Sequence, residues 1–228
     1  MVVTGGRKKR VGILGTSANP MHDGHVYVGE EALTRLNLDE VWFMVTPHSP
    51  HKDPLAYAPL EHRTHLAHLA LMSTGRLGSQ FKVSDFEAPL FTFGAENSTV
   101  NMLRHFTELY QSLQPVWLMG SDCFETLHTW GHYEEIIEQY PVAIMSRDAS
   151  LSEMFRTKAG LQFRERYVPE ADFRSVAGTW TFIDGLHHTV SSTQIRMEMS
   201  LGQNPEGLSP EAIAYIHDFA LFGSQVAQ

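Results

Sequence analysis

His22 and His25 stand three positions apart in the run Gly15-Thr16-Ser17-Ala18-Asn19-Pro20-Met21-His22-Asp23-Gly24-His25. Apolar residues 11–14 precede that run, and a helix-like stretch, residues 26–36, follows it. A short buried strand therefore passes through a turn punctuated by glycine and proline into a helix N-terminus. Unpaired backbone N–H groups and roughly half a positive charge from the aligned peptide dipoles gather at such an end. The spacing puts both imidazoles on one side of the first turn, where they can face one anion. Gly24 lacks the Cβ that would hold a ligand away from the backbone. The chemistry is polyphosphate binding by neutral or partly protonated donors. A zinc reading of the same pair lacks a third ligand at recognisable spacing, and the lone Cys123 offers no thiolate cluster. A chance match among 13 histidines is the plain alternative.

A second set of anion-binding groups stands near the C-terminus, in Val190-Ser191-Ser192-Thr193-Gln194-Ile195-Arg196. Ser191 or Ser192 is suited to cap a helix, and Gly202 falls where the residue after that helix would be. Ser192 and Arg196 are then one turn apart, with Thr193 beside them, so hydroxyls, helix N–H groups and a guanidinium converge on one face. Arginine suits two-point phosphate contacts. In isolation the same pattern describes a capped surface helix with one solvated arginine.

Both motifs need a scaffold that brings them together, and the hydrophobic pattern supplies one. Short β-rich runs alternate with helical ones, the mark of βαβ units and a parallel sheet. Strands are expected at residues 11–14, 41–45, 81–84, 116–119, 142–145 and 180–183. Val26, Gly29, Leu33 and Leu36 give the first helix an inner stripe, and residues 60–72 form the second helix. Val100, Leu103, Phe106, Tyr110 and Leu113 form another stripe, capped by Asn97 or Ser98 and broken by Pro115. The strand at 116–119 ends in Gly120-Ser121-Asp122, at the edge where open parallel sheets bind ligands. Loop 46–59 carries four prolines and is long enough to be functional. Segment 148–179 has no clear period. Ser209 and Pro210 open the last helix. The expected fold is α/β, a Rossmann-like doubly wound parallel sheet with helices on both faces and a small helical C-terminal part at 191–228. Residues 1–228 form one domain, with 1–10 a candidate disordered stretch.

Composition narrows the classes. At 228 residues and 43% hydrophobic, the chain buries a sizeable core, and no run approaches the ~20 apolar residues of a membrane span. Four basic residues, Arg7 to Arg10, precede an apolar run of only four, so no secretory segment is expected and the cytoplasm is the default address. A net charge of −9 argues against coating nucleic acid, and any positive potential must be local. Cys123 and His187-His188 are read as a packed thiol and an exposed turn, and Trp42 and Trp117 as core.

The motifs in their order resemble the nucleotidyltransferase superfamily with the His-x-Gly-His signature, specifically the bacterial nicotinate/nicotinamide mononucleotide adenylyltransferases. The resemblance spans residues 11–222 and rests on the 15–25 run, Ser49-Pro50-His51-Lys52, Gly120-Ser121-Asp122, Thr129-Trp130 and residues 191–196. It implies an enzyme of NAD biosynthesis that joins nicotinate or nicotinamide mononucleotide to ATP and releases pyrophosphate, with Mg²⁺ carried on the substrates. His22, His25 and Arg196 would be catalytic. ATP would be held by Gly15, Thr16, Ser17, His22, Gly24, His25, Gly120, Asp122, Ser192, Thr193 and Arg196. The mononucleotide would meet Ser17, Ala18, Asn19, Lys52, Thr99 and Arg147, with Trp130 stacking on its pyridine ring. No dedicated protein metal site, nucleic acid or membrane partner is implied, and homo-oligomerisation stays open. The family's common turn carries an aromatic and an acid where this chain has Ala18 and Asn19, and a tyrosine where it has Ser98. Another phosphate acceptor such as phosphopantetheine, and a nucleotide-sensing protein without turnover, are the competing readings.

Overall fold

A computed structural model describes residues 7–47, 57–75, 77–92, 98–186 and 188–224. Six strands form one all-parallel sheet in the order β3-β2-β1-β4-β5-β6. They are β1 (Lys9–Thr16), β2 (Glu40–Val45), β3 (Phe81–Ser84), β4 (Leu113–Gly120), β5 (Val142–Met145) and β6 (Trp180–Ile183). Between and after them run α1 (Asp23–Arg35), α2 (Leu60–Met72), α3 (Glu87–Thr92), α4 (Thr99–Leu109), α5 (Ser121–Thr126) and α6 (Tyr133–Gln139). The remaining helices are α7 (Leu151–Met154), α8 (Lys158–Gln162), α9 (Ser192–Ser200) and α10 (Pro210–Asp218). The strand order reverses between β1 and β4, and their carboxyl ends open the crevice in which such sheets bind ligands.

Alternation along the strands divides the core. Ile13, Trp42 and Trp117 join Leu103 and Phe106 of α4 in one cluster, while Leu14, Phe43 and Leu118 join Leu33 of α1 and Leu71 of α2 in another. The expected core tryptophans Trp42 and Trp117 are buried accordingly. Ile195, Met199 and Ile216 of the C-terminal helices pack with Leu66 in a third cluster, which fastens α9 and α10 to α2.

Several boundaries differ from the sequence expectation for local reasons. β1 starts at Lys9 rather than residue 11, because Lys9 and Arg10 pair with Leu113 and Gln114, so the end of the stretch set aside as disordered is sheet. α1 starts at Asp23 rather than residue 26, because His22 supplies the cap. α4 ends at Leu109, and Leu113 enters β4 instead of continuing the helix. Pro115 therefore sits inside a strand rather than breaking a helix. The β4 residue Trp117 donates its N–H toward the β5 side, to Pro141. Residues two apart in a strand point the same way, so the missing N–H of Pro115 faces the side where β5 has not begun. The segment 148–179 folds around Trp180: Met154, Ala159 and Phe163 are buried with it, and its indole N–H donates to the Phe163 carbonyl at 2.8 Å. Irregular spacing hid that packing.

Candidate active site

The β1–α1 turn is built from side chains that satisfy its own backbone. Thr16 is buried and its hydroxyl accepts the Ala18 N–H at 3.0 Å. Ala18 adopts φ +45° and is fully buried, so its methyl group packs inward. Asn19 Oδ1 accepts the Ala58 N–H at 3.0 Å. Beneath the turn lies Arg63, 1% exposed. Its guanidinium donates to the carbonyls of Ala58, Ser17, Thr46 and Pro47 at 2.7–2.8 Å and lies 5.1 Å from the Tyr57 ring centroid. One side chain thus ties the turn, the end of β2 and the entry to α2 together. In the sequence it is only a basic residue on a helix; its burial depends on four carbonyls brought in by the tertiary fold.

His22 is the N-cap of α1, 4% exposed, and its Nδ1 accepts the Gly24 N–H at 3.1 Å. His25 returns the contact, its Nδ1 accepting the His22 N–H at 3.4 Å. The two rings lie 4.1 Å apart between centroids. An Nδ1 that accepts a hydrogen bond leaves the ring proton on Nε2, so each imidazole offers one N–H beyond the backbone. Burial, then the neighbouring His25, His188 and Arg147, drives the His22 pKa down to about 2. His22 is therefore a neutral donor at any physiological pH. Gly24 has a different reason from the one its sequence position suggests. A Cβ there would lie 2.9 Å from the His22 ring and 3.0 Å from His188 Nδ1, so the missing side chain makes room for imidazoles rather than for a ligand. His188 is half-buried beside this pair and not an exposed turn residue.

The second motif docks onto the first. Ser191 caps α9 by accepting the Gln194 N–H, and Gly202 follows the helix with φ +71°. Ser192 Oγ donates to the Pro20 carbonyl at 3.0 Å across 172 positions. Arg196 Nη1 donates to the Asn19 carbonyl at 2.8 Å, and Nη2 lies 3.3 Å from Thr193 Oγ1. Half of the guanidinium is therefore spent on holding the turn.

These elements enclose a cleft of about 710 Å³ at the carboxyl edge of β1, β4 and β5. It brings together the expected residues Gly15, Thr16, Ser17, Asn19, His22, Gly24, His25, Gly120, Asp122, Arg147, Ser192, Thr193 and Arg196. It also gathers Ser121 of the Gly120-Ser121-Asp122 motif, together with Val28, Tyr57, Cys123 and Asp148, which the sequence does not single out as ligand-binding. Cys123, expected as a packed thiol, both packs on the core and lines this cleft. Ala18, Thr99 and Trp130 do not line it: Ala18 is buried, and half-buried Trp130 packs against the core beyond α5. Ala18 is removed as a direct ligand contact by its burial. Lys52 lies outside the described residues, as do Ser49 to His51, Asn97 and His187. Two arginines, Arg147 and Arg196, share the cleft lining with two aspartates, Asp122 and Asp148, so the anion-attracting character comes from imidazole N–H groups, helix N-termini and those two arginines together.

A doubly wound sheet with a histidine-capped turn at its switch point defines a nucleotide-binding α/β protein. The chain belongs to the cytidylyltransferase-like family, whose model matches residues 13–198. It is 35% identical over 191 residues to a probable nicotinate-nucleotide adenylyltransferase of Methylorubrum extorquens, covering 82% of this chain and 98% of that protein. A protein of the same description from Brucella abortus is also 35% identical over 191 residues, with 82% and 93% covered. Among solved structures, nicotinic acid mononucleotide adenylyltransferase of Plasmodium falciparum complexed with NaAD shares the fold. Its TM-score is 0.73 at 16% identity, over 96% of this chain and 100% of that one. Among the described residues no helix is long and apolar enough to cross a membrane, and no three His, Cys, Asp or Glu side chains gather to hold a metal ion.

Proposed function

We propose that this protein is a nicotinate-nucleotide adenylyltransferase of NAD biosynthesis. It joins nicotinate mononucleotide to ATP and releases pyrophosphate. The observation that carries the reading is the docking of Ser192 and Arg196 onto the Pro20 and Asn19 carbonyls of the His-x-Gly-His turn, which makes two phosphate-binding motifs one surface. The curated relatives of the same description, similar over most of the chain, supply the acceptor.

The attacking group is the mononucleotide's 5′-phosphate oxygen, already ionised at neutral pH, so no strong base is required. It bonds to the α-phosphorus of ATP as the α–β bridging oxygen leaves with pyrophosphate. The protein's contribution is alignment and charge stabilisation. The Nε2–H groups of His22 and His25 donate to ATP phosphate oxygens, and Arg196, Ser192 and Thr193 hold the outer phosphates. Asp122 receives ribose hydroxyls. The pyridine ring extends past the cleft toward the exposed part of Trp130, with Thr99, Arg147 and Lys52 around the mononucleotide. Asp122 and Asp148 beside a triphosphate fit a hard divalent cation carried by the substrate. Mg²⁺ bound there would neutralise phosphate charge.

The test incubates the protein with ATP and Mg²⁺ and, separately, nicotinate mononucleotide, nicotinamide mononucleotide and phosphopantetheine. Dinucleotide and pyrophosphate are measured together. Turnover fastest with the acid mononucleotide supports the assignment. Turnover confined to phosphopantetheine, or ATP binding with no turnover on any acceptor, overturns it.

A further inference from the structure

At the far end of β1 from the catalytic cleft, Arg10, Arg35, Asn37, Glu170, Phe173 and Arg174 line a second cleft of about 450 Å³. Its charge is uneven. Arg35 is committed to Glu170, which it grips through Nε and Nη2 at 2.6 and 2.5 Å. Among the described residues, Arg10 and Arg174 form no ion pair with a carboxylate. Arg174 is exposed, and its Nη1 donates only to the carbonyls of Ala171 and Phe173. Arg10 donates Nη2 to the Asn37 carbonyl, while its Nε–H is sealed from solvent with no acceptor. Asp39 accepts the Arg10 backbone N–H at 2.8 Å with one oxygen and pairs with Arg7 at 2.7 Å through the other. Burial, then the like charges of Arg7 and Arg174, pull the Arg10 pKa down, with Asp39 opposing. Ser175, next to Arg174, is also fully buried with an unpartnered hydroxyl, and its carbonyl accepts from Gln114, the cross-strand neighbour of Arg10. In a chain of net charge −9, two guanidiniums that line one cleft and make no ion pair among the described residues are a local cationic feature with donors left for an anion.

We propose that this cleft is a second, non-catalytic anion site that takes a phosphate group, as free phosphate or as a phosphomonoester. A tetrahedral dianion accepts from two planar guanidiniums at once and matches their combined charge. The site is separate from the catalytic one. α1 runs from its His22 cap to Arg35, and 13 helical residues span about 20 Å.

Equilibrium dialysis of radiolabelled inorganic phosphate against the full chain tests this, with Arg174→Gln, Arg10→Gln and Arg196→Gln compared. Because Arg174 is exposed, its variant keeps the fold, and melting temperature monitors the Arg10 variant. The expected result is one class of phosphate site weakened about tenfold or more by Arg174→Gln and Arg10→Gln but not by Arg196→Gln, as loss of a charge-assisted contact predicts. Displacement of that class by ribose 5-phosphate below the concentration of phosphate needed assigns a phosphomonoester, and the reverse assigns free phosphate. Phosphate binding that is unaltered in the Arg174 variant, or lost only in the Arg196 variant, overturns the proposal.

Discussion

Replacing Arg196 with lysine keeps the charge but removes the geometry, and the structure sets the size of the effect. Arg196 makes a 2.8 Å hydrogen bond to the Asn19 carbonyl through Nη1 and approaches Thr193 Oγ1 with Nη2, leaving the rest of its planar fork to the cleft. A lysine ammonium is a single point donor and cannot hold the turn and a phosphate oxygen in the same fixed geometry. A hydrogen bond to a charged group contributes about 1.5–3 kcal/mol, reduced here to about 1–2 because the side chain is half-exposed. That corresponds to a rise in KM for ATP of about 5- to 30-fold. The mononucleotide KM should stay within about twofold, because the lost contact faces the outer phosphates of ATP. Melting temperature should fall by no more than about 2–8 °C, since 1 kcal/mol is about 2–4 °C in a chain of this size. Steady-state kinetics with each substrate varied at saturation of the other provides the assay. Equal weakening of both substrates would show that α9 had moved off the turn, and an unchanged KM for ATP would refute the phosphate role of Arg196.

Four further outcomes follow from the same geometry. His25→Ala should lower kcat by about 10²–10³ with a smaller effect on ATP binding, as for loss of one donor to developing charge, and a titration of ATP beside the kinetics checks it. Acidification should destabilise the fold through His22. Unfolded, its imidazole takes a proton near pH 6.5, while the folded one resists until about pH 2, so stability is lost as pH falls below 6.5. The loss should be about 2 kcal/mol between pH 7 and 5, and the pH dependence of urea unfolding should flatten over that window in His22→Gln. Arg63→Met should cost about 3 kcal/mol, because four carbonyls, one buried and three part-buried, lose their donor; the same urea experiment reads it. Trp130→Ala should raise KM for nicotinate mononucleotide several-fold, leave that for ATP nearly unchanged and lower melting temperature, because Trp130 also packs on the core.

Much of this site is legible in the sequence because its chemistry is local. A strand, a Gly- and Pro-punctuated turn and a histidine-capped helix are contiguous, and so are Ser191, its helix and Gly202. The parallel sheet is equally readable, since β2, β5 and β6 are short, mostly apolar runs buried at every position. What stayed hidden depends on distant partners. Arg63 acquires meaning only when four carbonyls converge on it, and Gly24 only when His188 arrives from the β6–α9 connection. Trp180 organises segment 148–179, a relation with no period along the chain. The end of α4 is not legible because Tyr110 and Leu113 continue its apolar spacing, although Tyr110 is already its C-cap and Leu113 the first residue of β4. Arg196 reads as a phosphate ligand in the sequence, and the structure adds that it also fastens the two motifs together.

The most direct test of the central claim is the stoichiometry of a single turnover. Enzyme in excess over ATP is mixed with saturating nicotinate mononucleotide and Mg²⁺, and the reaction is quenched and resolved into its nucleotides. The account predicts dinucleotide and pyrophosphate appearing together, one for one, with both slowed about 10²–10³-fold in His25→Ala. Release of ADP and phosphate, or AMP without dinucleotide, would contradict it, because the cleft would then be transferring phosphate to water and not an adenylyl group to the mononucleotide.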